Sequence, residues 1–251
     1  MYLSVPKYIG SCCKNSFIIV DLRSGDIERS EKVSYATATA KEFNVDSCLY
    51  ILNSEIATIR LEIFERDGSQ SDTCGNGMLL VTHFLEIKEG TIETGGGIFK
   101  TTCDADTVTV VMGTQFVKVA SVPQDTSFLY IKSGEPHVVT LSESIESIDL
   151  TELGRKFQLY FPKGVNVNIL EKIDSNTYKI KTFERGVLNV TASCGTGSLS
   201  SYTATNFING EMNQGVVEFK CTGGSHWVSR EGRRLKLQTL RSFCVIDSLH
   251  T

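Results

Sequence analysis

The tetrapeptide Cys74-Gly75-Asn76-Gly77 returns 120 residues later as Cys194-Gly195-Thr196-Gly197 in a chain of 251 residues. No other feature constrains the fold as strongly, because self-similarity at half the chain length means two related units. Both copies open an apolar or small-residue stretch, and both stretches stop at a glycine 16 residues past the cysteine, Gly90 and Gly210. Two matching helices are expected there. The same offset then pairs Gly95 with Gly215, Phe99 with Phe219, Lys100 with Lys220 and Thr102 with Thr222. Upstream, Phe64-Glu65-Arg66 closes an alternating run over 58–64, and Phe183-Glu184-Arg185 closes another over 177–183, at an offset of 119. Each half therefore reads strand, loop, Cys-Gly-x-Gly, helix, strands.

Segments 16–22, 107–112, 128–131, 137–141, 165–170, 216–220 and 235–239 are β-branched or alternating and bounded by turn residues, so they read as strands. Helices are few; besides the two after the cysteines, 34–43 and 148–157 are candidates. The first cysteine helix carries Met78, Leu79, Leu80, Val81, Phe84, Leu85 and Ile87. It is apolar nearly all round and should be enclosed by strands. The second, with Ser198, Ser200, Ser201 and Ala204, lets strands approach closely. The expected fold is α+β: two pseudo-symmetric β-rich domains, each a sheet or barrel wrapped around a central helix. Residues 1–115 would hold Cys74 and 116–239 would hold Cys194, with the boundary near Gly113 to Ser121. A last strand over 240–246 would cross back, so that 240–251 completes the first domain.

A net charge of −4, with no basic run longer than Arg233-Arg234, argues against a nucleic-acid or anionic-membrane surface. A small neutral or zwitterionic ligand is the better expectation, and a homodimer through an exposed strand edge is left open. Residues 1–17 lack the apolar core of a signal peptide, and no stretch reaches the roughly 20 apolar residues of a membrane span. The expected setting is cytoplasmic. There the eight cysteines stay thiols. None has Cys-x-x-Cys spacing and the four histidines, at 83, 137, 226 and 250, are scattered, so no metal site is expected.

Each repeated cysteine sits at the mouth of a helix, where unpaired N–H groups and the positive end of the macrodipole stabilise an anion. That setting draws a thiol from about 8.5 toward neutrality. A duplicated fold relates two such thiols by a pseudo-two-fold axis, which lets them face each other across one cleft. Racemisation needs that arrangement: one group removes the α-proton, and another returns a proton on the opposite face. With no cofactor as electron sink, preorganised donors must hold the charge that develops on the α-carboxylate. Two helix N-termini supply them, and glycines at 75, 77, 195 and 197 let backbone amides approach a ligand. Cys12, Cys13, Cys48, Cys103, Cys221 and Cys244 read as small buried hydrophobes.

These motifs resemble those of the diaminopimelate epimerase family, cofactor-independent enzymes that use two cysteines, and the resemblance runs nearly end to end. Lys7-Tyr8-Ile9-Gly10 with Asn15-Ser16-Phe17 is similar to the family's opening segment. Phe64 to Ser69 and Cys74 to Gly77 resemble its first catalytic segment. Gly134-Glu135-Pro136-His137, Asn166, Glu184-Arg185-Gly186 and Cys194 to Gly197 resemble the others in order. The resemblance implies Cys74 and Cys194 as acid and base, with His137 and Glu184 near the thiols. It gives Asn15, Asn166 and Arg185 to the distal end of an amino-acid substrate, and the amides of Asn76, Gly77, Gly195 and Thr196 to its reacting carboxylate. No cofactor is implied.

Several positions depart from the pattern. Glu65 replaces an asparagine, and Glu135 stands where another asparagine is common. Leu79 and Leu80 replace an arginine and a cysteine, Leu188 replaces a glycine, and Ser16 replaces an aspartate. Either Glu65 faces the distal end of the substrate, where it would repel a carboxylate, or it keeps the Phe-Glu-Arg of the repeat and points elsewhere. LL- to meso-diaminopimelate conversion is the leading expectation because Arg185 is present for a distal carboxylate. A racemase for another amino acid, one with a cationic side chain that Glu65 and Glu135 would suit, is the alternative, and a non-catalytic ligand-binding relative is a third.

Overall fold

The computed structural model describes residues 6–112, 119–123, 125–133, 135–210 and 215–248. Most of the expected boundary stretch, 113–118, and Gly134 lie outside the described residues. The chain divides into two compact units, Met1–Val110 with Leu240–Thr251, and Val111–Thr239. Four α-helices are described: α1 (Arg29–Glu42), α2 (Gly75–Phe84), α3 (Leu150–Gln158) and α4 (Gly195–Asn209).

In the first unit, Lys7–Cys12 and Asn15–Asp21 form an antiparallel hairpin. Its two turn residues, Cys13 and Lys14, both take positive φ, 49° and 62°, as a tight two-residue turn demands. After α1 the chain returns as Ser47–Leu52, parallel to Asn15–Asp21, and then as Ile59–Glu65, antiparallel to Ser47–Leu52. After α2, Glu89–Thr94 lies parallel to Ile59–Glu65 and pairs with Gly97–Cys103. Cys244–Ser248 adds antiparallel to Lys7–Cys12.

The second unit repeats this order. Asp125–Ser133 and Glu135–Ser142 form the hairpin; after α3, Asn166–Lys172 runs parallel to Glu135–Ser142, and Thr177–Glu184 pairs with Asn166–Lys172 antiparallel. After α4, Val217–Cys221 lies parallel to Thr177–Glu184, followed by Gly224–Glu231 and Arg234–Leu240.

Both faces of each sheet are covered, so the central strands carry continuous apolar runs rather than alternation. Ile18, Val20, Cys48, Tyr50 and Phe64 pack under α1 with its Ala36 and Ala40, and the opposite parity, Phe17, Ile19, Leu49 and Ile51, is equally buried. The inner helix α2 is buried from Gly75 through Thr82, in keeping with its all-round apolar sequence. In the second unit Phe157, Val165, Val167, Ile169 and Phe183 form the core beneath α3, while α4 is the inner helix.

Two expectations on helix bounds are corrected. The first cysteine helix stops at Phe84 rather than running to Gly90. Glu86 takes a left-handed φ of 49°, and Gly90 already lies in the strand Glu89–Thr94. The second does run to Asn209 and ends on Gly210 at φ 66°, the usual glycine stop. Helix α1 begins at Arg29, five residues before the expected start, where Glu31 reaches back to accept the Glu28 N–H (3.4 Å). Glutamate is not among the favoured capping residues, so its signal is weak. Among the described residues no helix is long and apolar enough to cross a membrane.

Candidate active site

The two cysteines occupy one local structure built twice. Cys74 is the N-cap of α2 with φ −141° and ψ 113°, and its sulfur accepts the Gly77 N–H at 3.3 Å. Cys194 is the N-cap of α4 with φ −139° and ψ 113°, and its sulfur accepts the Gly197 N–H at 3.4 Å. Each side chain thus takes one of the orphan donors of its helix, as serine or aspartate does at an ordinary cap. Cys194 is 6% exposed and Cys74 is half-buried.

The capping glycines have a reason beyond ligand approach. A Cβ on Gly197 would lie 2.6 Å from Asn168 Oδ1 and 3.1 Å from Thr182 Oγ1, whereas one on Gly77 would meet Leu49 Cδ2 at 3.1 Å. These two positions press against the unit's own sheet.

In the first unit the structure brings Asn15 to Asn76, whose Nδ2 donates to Asn15 Oδ1 at 3.4 Å. Asn15 Nδ2 in turn donates to Asp46 Oδ2 at 2.9 Å. Asp46 also accepts from Ser16 through its N–H (2.8 Å) and its hydroxyl (2.9 Å), so it fixes the hairpin base from which Asn15 projects. Glu65 accepts hydroxyl donors from Ser47 (2.8 Å) and from Ser71. Burial holds its carboxyl above the ordinary carboxylate range, against the pull of those two hydroxyls.

In the second unit His137 is fully buried and is the hub of a polar network. Its Nε2 lies 3.1 Å from Thr196 Oγ1, and Thr196 Oγ1 lies 3.4 Å from Cys194 Sγ. Its Nδ1 lies 2.9 Å from Asn168 Nδ2. Burial first, and then the charge of Arg185, pushes the imidazole down to about 3, so it is neutral across the physiological range. Asn166 Oδ1 accepts the Arg185 N–H at 2.9 Å. The Arg185 guanidinium is held by the Glu135 carboxylate and by the Lys163 carbonyl, the latter at 2.9 Å. Glu184 accepts the Thr191 hydroxyl at 2.5 Å, which repeats the link between Glu65 and Ser71. Asp46, Asn168, Thr182 and the serines on Glu65 were not singled out by the sequence. Among the described residues no group of three or more His, Cys, Asp or Glu is placed to hold a metal ion.

No family model matches the chain. It is 30% identical over 223 residues to diaminopimelate epimerase from Methanococcus maripaludis, a match spanning 76% of this chain and 80% of that one. It is 29% identical over 235 residues to diaminopimelate epimerase from Bacillus cytotoxicus, spanning 80% and 81%. Among solved structures, a phenazine biosynthesis protein of the PhzF family from Bacillus anthracis superposes with a TM-score of 0.75, at 14% identity over 99% of this chain and 100% of that one. A hydroxyproline epimerase from Agrobacterium vitis gives 0.67 at 16% identity, covering 98% and 90%. The fold is theirs, and the protein is an isomerase of the racemase and epimerase class. The chain belongs to the diaminopimelate epimerase family.

Proposed function

We propose that this protein inverts the α-carbon of an amino acid without a cofactor, with Cys74 and Cys194 as the acid/base pair, exchanging roles in the reverse direction. The observation that carries the reading is the duplicated cap: two cysteines with matching backbone angles, each at the N-terminus of an inner helix and each already accepting an amide proton. A thiolate is stabilised by such a cap, and the neighbouring amides of Asn76, Gly195 and Thr196 suit the charge that builds on the α-carboxylate, the Gly77 N–H being taken by the Cys74 sulfur. His137 and Glu184 act behind the thiols. Asn15, Asn166 and Arg185 serve the distal end of the substrate. Both thiols must stay reduced, which suits a cytoplasmic setting.

LL- to meso-diaminopimelate is the first substrate reading, supported by the names of the relatives and by Arg185. One observation favours the second reading, an amino acid whose side chain is not anionic: both arms of the Arg185 guanidinium are engaged, one by the Glu135 carboxylate. Glu65 adds a further carboxylate among the residues assigned to the substrate.

The test is incubation in deuterated water with diaminopimelate and, separately, with a panel of cationic and neutral amino acids. Two-thiol chemistry predicts that the inverted product carries α-deuterium while recovered substrate carries little in the first turnovers. Exchange on diaminopimelate supports the first reading, and exchange confined to another amino acid supports the second. No exchange on any substrate would sink the two-thiol proposal.

A further inference from the structure

The two units set their cysteine helices over different floors. In the first unit, Phe17, Leu49 and Ile63 share the sheet face turned away from α1, all buried and apolar, and Leu49 lies against the capping Gly77. The register of strands, Ile19 opposite Leu49 opposite Ile63, is matched in the second unit by Val139 opposite Asn168 opposite Thr182. The positions equivalent to Phe17, Leu49 and Ile63 are therefore His137, Asn168 and Thr182, equally buried and all polar. Burying three polar side chains where apolar ones fit the same fold costs stability unless each is satisfied.

We propose that this layer orients protons: Asn168 holds His137 as its Nε2–H tautomer, the Thr196 hydroxyl is thereby turned onto Cys194, and Cys194 rests as the thiolate of the pair. Asn168 is a positioning residue in this scheme, and the inference rests on the two-thiol reading above.

The hydrogen bonds decide the tautomer. Asn168 Nδ2 donates to the Val138 carbonyl at 3.2 Å, a group with no proton to give, while Oδ1 accepts the Thr182 hydroxyl at 2.9 Å. The carboxamide can therefore face His137 Nδ1 only with its NH2, at 2.9 Å. A neutral imidazole has one donor and one acceptor, so Nδ1 is the acceptor and the proton sits on Nε2. From there it points to Thr196 Oγ1. Asn166 Nδ2 is also 3.4 Å from Nε2, but its orientation is set by the Arg185 N–H on Oδ1, and the longer contact yields to the shorter one. Thr196 has a single hydroxyl proton. With the oxygen accepting from histidine, that proton is left for Cys194 Sγ, 3.4 Å away. A sulfur that accepts both this proton and the Gly197 N–H is favoured as an anion.

The other charged and titratable groups around the layer are already engaged. Arg185 pairs with Glu135, and Glu184 takes the Thr191 hydroxyl. His226 Nδ1 lies 2.9 Å from Ser198 Oγ, with Cys221 Sγ at 3.9 Å.

The experiment uses the full chain labelled with 13C at cysteine Cβ and 15N in histidine, with Cys194 assigned through Cys194→Ser. Imidazole nitrogen shifts should report the Nε2–H tautomer for His137, and the Cys194 resonance should titrate at lower pH than that of Cys74. Asn168→Asp, which accepts a proton from Nδ1 and reverses the tautomer, should lower the thiolate fraction of Cys194 near neutral pH by about tenfold. Thr196→Val should do the same, and Thr196→Ser should restore it. An Nδ1–H tautomer in the native chain, or Cys194 titrating at or above Cys74, would overturn the proposal. So would an unmoved Cys194 titration in both variants. These signals do not depend on turnover, so they stand or fall separately from the exchange assay.

Discussion

His137 makes acid stability a direct probe of the second unit. The folded state keeps this imidazole neutral down to about pH 3, chiefly by burial, whereas an unfolded chain protonates it near 6.5. The folded-state affinity for the proton is depressed, so the stability it contributes is fully present above 6.5 and is lost as pH falls toward 3. Each pH unit in that window is worth about 1.4 kcal/mol, hence about 2 kcal/mol between pH 6.5 and 5 and about 4 to 5 kcal/mol by pH 3. Trp227 is the chain's one tryptophan and lies on the strand Gly224–Glu231, in the same unit as His137. Its fluorescence in urea titrations at pH 7.5 and 5.0 therefore reads the relevant unit. Carboxylates also titrate in this range, so the comparison is with His137→Gln, which retains an amide to donate toward Thr196 but takes up no proton. The native chain should lose about 2 kcal/mol more than the variant between the two pH values. Equal losses would mean that His137 is protonated in the folded state, and the burial argument would be wrong.

Cys74→Ala and Cys194→Ala should each abolish inversion of the α-carbon while removing only about 1 kcal/mol of capping stability, read as unchanged far-UV circular dichroism beside lost turnover; retained inversion in either variant would refute the two-thiol assignment. Gly197→Ala should destabilise the second unit by about 1–3 kcal/mol, because its Cβ would fall 2.6 Å from Asn168 Oδ1. Gly77→Ala should cost less, since its Cβ would meet a side-chain methyl, Leu49 Cδ2, at 3.1 Å and the helix gains from losing a glycine; urea midpoints for the pair check the contrast. Glu65 has its carboxyl raised by burial, so the folded chain holds that proton more tightly than the unfolded one and loses stability as pH rises through the folded value. Glu65→Gln should flatten that loss between pH 4 and 8 in denaturation followed by circular dichroism, and an identical pH slope would contradict it.

The parts of the fold that were legible in the sequence are those where local signals and the repeat agree. Cys-Gly-x-Gly announced both inner helices because a cysteine cap, two glycines and an apolar run coincide there. The end of α2 was not legible: Gly90 matches Gly210 in the repeat, but Glu86 takes the left-handed turn and the chain enters a strand instead. Repeat symmetry carried the expectation past the point where the two halves differ. Ser47–Leu52 is buried at every position, so it shows no alternation, and a short apolar run of that kind is ambiguous from periodicity alone. In the site, the motif residues were visible but their supports were not. Asp46 and Ser71 are ordinary loop or short-strand residues, and only tertiary pairing brings them to Asn15 and Glu65.

The asymmetry beneath the two caps did leave a trace. At the offset of 120, Phe17 falls on His137, and at the offset of 119, Leu49 falls on Asn168 and Ile63 on Thr182. A repeat read only for matches discards these positions, yet they hold the chemical information, because apolar side chains in one copy show that the fold itself demands no polar group there. Polar side chains at all three matching positions are then a cost borne by one half alone. A two-base reaction offers a physical reason for it. One thiol must start ionised and the other protonated, and two sites kept alike by duplication would compete for the same proton. Placing an oriented hydroxyl over only one of them breaks that tie, while the shared helix caps keep both sulfurs able to carry charge when the reaction runs in reverse.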